Sequence, residues 1–258
     1  MTIEEQEQRK IYLEEILRKE LTRLFLRIVL EQRVAVATGT TIRASRYQPE
    51  FEALLNKHYA RVQQSFLGIT DTKAQTEEDN DEVVAALLLW MDKTSAKTAD
   101  ELTKTTQNDM DTSLAQARQS LANEGNTSYS QRELAVLAAV MLGRIENGRL
   151  TSIVVTETQK AAESTKLIES YDEAGLNPTL AVTGGVIPTA VIAMKEWRDV
   201  GDAKVRRGHH AGEVAKVRIT EPFMVRGEML MYPGDGSMGA SAGNIINCRC
   251  GTFYTIGG

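Results

Sequence analysis

Near the end of this 258-residue chain, Cys248-Arg249-Cys250 holds both of its cysteines, and His209-His210 holds two of its three histidines. In an extended segment residues i and i+2 face the same way, so both sulfurs of a Cys-x-Cys can reach one atom. Two thiolates and an imidazole supply three of the four corners of a tetrahedral zinc shell. Cys248, Cys250 and His209 are therefore the candidate metal ligands, with zinc as the expected ion and a structural role. His210, Asp235 or Asp202 would complete the set. The same residues allow two other readings. The thiols can be small buried apolar groups beside hydrogen-bonded loop histidines. Alternatively, Cys and His can pair as nucleophile and base, although no third group completes such a set. A disulfide between Cys248 and Cys250 would close a tiny strained ring and is not expected.

These residues belong to a longer ordered series. Trp197, Asp202, Arg206 and His209 come first, then Glu221-Pro222-Phe223 and Gly227-Glu228. Tyr232-Pro233-Gly234-Asp235 and Asn247-Cys248-Arg249-Cys250 follow. In order and spacing the series resembles the C-terminal domain of the phage Mu F-like head morphogenesis proteins, the minor head proteins of tailed phages. The resemblance covers about residues 150–252, with Thr156-Glu157 fitting the helix that opens the family domain. Val155 stands where an Arg is common, and Glu213-Val214 stands where an Asp-Gly is usual.

The resemblance implies a structural, assembly role inside the head near the portal, with no reaction turned over. It implies the portal protein and other head proteins as partners, self-association into a homo-oligomer, and contact with packaged DNA. The implied location is the capsid interior of the virion, after assembly in the host cytoplasm. Related domains also occur joined to toxins, some of them ADP-ribosyltransferases that share a late Glu-x-Glu. The late region here has none, and the chain has no Walker A pattern, so an enzyme is not expected. A nucleic-acid-binding accessory protein is the alternative function. Arg206, Arg207 and Arg249 would then face phosphate, where otherwise they pair with carboxylates.

The elements that must position these residues follow from pattern. Leu13, Leu17, Leu21, Leu24 and Ile28 recur at steps of three and four, predicting one long helix over 3–37. That stripe either folds onto its own domain or docks on a partner. A second helix is predicted from Pro49 to about residue 67, then a polar acidic loop. A further helix over 81–122 is expected to break around 93–98. Ser130-x-x-Glu133 is a capping box opening the next helix. That helix is expected to end near Glu146, with Asn147-Gly148 separating it from another over 150–174 that stops at Gly175. After Pro178, short β-rich runs predict a small sheet. The fold class is α+β, divided into a helical docking and assembly region, 1–149, and a compact C-terminal α+β domain, 150–258.

Composition narrows the classes. Aromatic residues make up 5% of the chain and hydrophobic residues 42%, which suits a helical protein packed with small side chains. The net charge of −5 lacks the basic footprint of a nucleic-acid-binding domain. Residues 195–230 carry eight Lys or Arg against six Asp or Glu, a net of +2. The acidic start has no signal peptide, and no apolar run approaches a membrane span. Two cysteines one residue apart suit a reducing compartment.

Overall fold

The computed structural model describes residues 3–67, 77–123, 129–184, 193–201, 205–209, 212 and 214–256. The polar loop after residue 67, the turn at 124–126, most of the turn at 183–188, and the alternative ligands Asp202 and His210 lie outside the described residues. The fold is α+β. Four long helices come first: α1 (Ile3–Ala37), α2 (Gln48–Phe66), α3 (Glu77–Asn123) and α4 (Gln131–Glu173). A short α5 (Leu180–Thr183) leads to β1 (Ala193–Arg198), β2 (Val217–Arg218), β3 (Phe223–Val225) and β4 (Glu228–Leu230). The last elements are α6 (Ala242–Ile245) and β5 (Gly251–Ile256). The strands form an antiparallel sheet in the order β2-β1-β5 and a separate β3-β4 hairpin. No helix among the described residues is long and apolar enough to cross a membrane.

Two expected breaks are absent. α3 runs unbroken through 93–98, because no Gly or Pro interrupts it and Ser95 and Thr98 are buried small side chains. α4 runs unbroken through Asn147-Gly148. Ala138, Leu142, Glu146, Leu150 and Val154 continue one buried row across that dipeptide at steps of four, and tertiary burial overrides a glycine cost of about 1 kcal/mol. The capping box is present: Ser130 N donates to Glu133 Oε2 at 2.8 Å and Glu133 N to Ser130 Oγ at 3.2 Å. α4 stops at Gly175, whose φ of +68° favours glycine.

The chain forms two compact units. The first joins Met1–Glu14, His58–Lys93 and Ile153–Gly258; the second joins Glu15–Lys57 and Thr94–Ser152. Within the second, a cluster of Val36, Ala117, Leu121, Leu134, Ala135 and Ala138 forms the core, Gln32 donates to the Met110 carbonyl at 3.1 Å, and Tyr47 donates to Glu31 at 2.8 Å. All five residues of the α1 stripe are buried, Leu17, Leu21 and Ile28 completely. That stripe is consumed by the fold, so it is not the docking face the periodicity allowed.

In the first unit, residues 156–171 of α4 are buried on nearly every face, although the sequence there is mostly polar. Most of its polar atoms find a partner. Lys10 Nζ donates to Gln159 Oε1 at 2.8 Å, and Lys166 pairs with Glu163 at 2.5 Å. Glu163 also accepts from Thr252 N at 2.9 Å, and His58 bonds Thr158 at 3.0 Å. Tyr59 donates to Glu157.

Candidate metal centre

His209 is placed by a turn. Its backbone N–H donates to the Arg206 carbonyl at 2.9 Å, which is the physical content of the Arg-x-x-His spacing. Gly208 sits at φ +82°, and a Cβ there would lie 2.6 Å from Arg226 Cγ, so the turn requires glycine. Trp197 Nε1 donates to the His209 carbonyl at 2.9 Å and its ring meets the imidazole edge-on.

The cysteines are placed from the other side. Asn247 adopts φ +56°, a conformation Asn tolerates better than most residues, and its N–H donates to Thr156 Oγ1 on α4. Cys248 and Cys250 are both buried, whereas Arg249 between them is exposed. The alternation expected of an extended segment therefore holds.

The three residues meet. One ligand atom from each of His209, Cys248 and Cys250 lies within 4.8 Å of the others. Cys248 Sγ is 3.8 Å from His209 Nδ1, and Cys250 Sγ is 3.7 Å from the His209 carbonyl. His209 Nε2 lies 3.0 Å from Asn244 Oδ1. The Asn244 amide in turn donates to Glu228 at 2.6 Å and to the Val225 carbonyl. An amide oxygen on Nε2 keeps the proton there and leaves Nδ1 as the ligating nitrogen. The donor set thus fits a thiophilic divalent ion.

Electrostatics favour a charged sulfur. A hydrogen bond from Cys250 pulls the Cys248 thiol down to about 5 against burial, and His209 adds to the effect. The same bond, with burial, pushes Cys250 upward. Burial works against the charged form of His209, but its bonds to Cys248 and Asn244 outweigh that and leave it raised. A shared negative charge between two sulfurs beside an imidazole is the state a metal ion would replace.

Asp235 is not a ligand. Its two oxygens accept from Met231 N at 2.8 Å and Ser237 N at 2.7 Å, which closes the Tyr-Pro-Gly-Asp turn. It stands outside the ligand cluster. Gly234 brings that turn against α4, 3.6 Å from Gln159 Cγ. Gly234, Gly236 and Gly239 also have the G-x-G-x-x-G spacing. They lie between a hairpin and a four-residue helix, not inside a βαβ unit, so they are no dinucleotide fingerprint.

Two groups near the site escaped the sequence reading. Lys195 on β1 is fully buried, donates to the Met231 carbonyl at 2.7 Å and stacks on Phe223. Burial draws its ammonium down to about 7, opposed by Asp235 and Glu221. Gln159 donates to the Cys250 carbonyl. A lone Lys or Gln in a polar run gives no sequence signal of burial. Compared with known proteins, the chain matches no family model, no curated protein and no solved structure.

Proposed function

We propose that the chain is a minor head protein of a tailed phage, acting by assembly and not by turnover, with a zinc ion held structurally by His209, Cys248 and Cys250. The observation that supports it is convergence. Trp197, Phe223 and the pair Cys248 and Cys250 come from three separated parts of the ordered series, and all lie in one buried cluster. His209 joins them through Trp197, and Glu228 reaches His209 through Asn244. The resemblance thus rests on residues that share one physical task, holding a compact C-terminal fold around two sulfurs and an imidazole. The ion would supply cross-linking between a loop and a strand entry that share little other covalent or helical support. The reading carries with it the portal and other head proteins as partners, in the capsid interior.

The test is the composition of purified heads from cells that make the chain, by quantitative mass spectrometry of procapsids and virions. The protein should sediment with both and co-purify with the portal. Absence from both particles would overturn the assignment.

A further inference from the structure

A cavity of about 190 Å³ adjoins the three ligand atoms. Besides His209, Cys248 and Cys250 it is lined by Val200, Val205, Arg206, Asn247 and Arg249. Arg206 is held in place by Nη2, which donates to the Ile246 carbonyl. Its Nη1 is buried and has no hydrogen-bond partner among the described residues. A buried guanidinium N–H without an acceptor is costly, and this one belongs to the wall of a space that reaches the sulfurs.

We propose that this cavity takes a small carboxylate, held by Arg206 Nη1 and supplying the fourth ligand beside His209, Cys248 and Cys250. The inference rests on the metal reading above. Charge chooses the class of ligand. Two thiolates and a divalent ion cancel, and among the described charges around the cavity Arg206 and Arg249 outnumber Asp199, whose carboxylate acts on Cys250, by one. One negative charge balances that excess, whereas a phosphate dianion overshoots it. Size agrees, since drug-sized ligands need roughly 300 Å³ or more. The space suits an acetate or the side chain of an aspartate. Carboxylate oxygen is also an ordinary zinc ligand beside nitrogen and sulfur. The carboxylate can come from a free acid or from the side chain of a partner protein.

The experiment uses the reduced full-length chain loaded with cobalt(II), whose visible absorption reports its ligands. Acetate, inorganic phosphate and N-acetyl-aspartate amide are titrated in separate arms. Acetate should shift the spectrum saturably. Arg206→Met should raise the half-saturating acetate concentration at least about tenfold, and Arg206→Lys, which keeps the charge without the fork, by less. Retained uptake of one cobalt shows that each variant still assembles the ligand set. Tighter binding of the capped aspartate than of acetate assigns a protein side chain as the source; the reverse assigns a free acid. A spectrum indifferent to acetate, an Arg206→Met response like that of the parent, or an equal response to phosphate overturns the proposal while the metal reading stands. Failure to take up cobalt at all removes the metal reading and this inference with it.

Discussion

Gln159, in the middle of α4, donates its side-chain amide to the carbonyl oxygen of Cys250 and accepts from Lys10 Nζ at 2.8 Å. A residue of the first helical turns is thereby tied, through one amide, to the backbone of a candidate metal ligand. All three groups are buried, so none can turn to water if the middle one is lost.

Gln159→Ala is therefore expected to destabilise the protein by about 2–3 kcal/mol, the desolvation cost of stranded buried partners, and to weaken metal affinity as well. Urea unfolding and chelator competition measure the two. Unchanged zinc affinity in a destabilised variant would show that Gln159 acts on the fold without positioning Cys250.

The same bond bears on dissection of the chain. A fragment covering 150–258 lacks Lys10, His58, Tyr59 and Trp90, which partner Gln159, Thr158, Glu157 and Tyr232. Its buried polar helix would face water on one side and leave Glu163 with fewer cations. The fragment should show no cooperative thermal transition by circular dichroism. A sharp melt matching the full chain would contradict the division into units described above.

How much of this was legible varies with the kind of signal. α1 could be read because its leucines keep a period and Gly39 ends it. The meeting of His209, Cys248 and Cys250 could be read because Cys and His are scarce and their spacing is chemical. The continuity of α4 could not, since Asn147-Gly148 is ordinary stop chemistry and only burial of Leu150 and Val154 overrides it. Nor could the role of 156–171. Hydropathy places Thr-Glu-Thr-Gln-Lys at a surface, and only partners distant in sequence make it a core. Asp235 misled for a related reason: a carboxylate in a motif looks like a ligand until backbone N–H groups are seen on both oxygens.

Glu146 gives a pH prediction. It is buried in the middle of the α4 row and paired with Arg149 at 3.1 Å. Burial pushes its carboxyl up to about 7, with Arg149 opposing and Asp109 reinforcing the rise. The folded value lies above the unfolded one, so the folded state binds more protons between them. Stability is then full below the ordinary carboxylate range and falls as pH rises to about 7, by up to about 3 kcal/mol for a shift of this size. Glu146→Gln should remove that fall and melt higher than the parent at pH 8. A parent whose stability is flat from pH 5 to pH 7.5 would disprove it.

Leu17→Asp tests the buried stripe. Leu17 is fully buried, and an unpaired carboxylate there has no partner to offset its desolvation. The variant should be insoluble or lose its cooperative melt, in contrast to Leu30→Asp on the exposed side of the same helix. A soluble, stable Leu17→Asp protein would return the stripe to the role of a free docking face.

Metal removal is the decisive measurement for the centre itself. His209 arrives from a turn after β1, and Cys248 and Cys250 from the segment leading into β5, so their sulfurs and imidazole have little reason to converge except to share an ion or to pack. The two reasons separate in what each variant loses. Reduced protein should contain about one equivalent of zinc, and chelation should lower the melting temperature by about 5–10 °C, the scale of a few kcal/mol in a chain this size. Cys248→Ser should lose the zinc and show the lower melting temperature with or without chelator. Cys248→Ala, which keeps the small apolar volume, should behave the same if the ion is what counts. If instead the thiols only pack, Cys248→Ala should melt close to the parent, chelator should change nothing, and no zinc should be found.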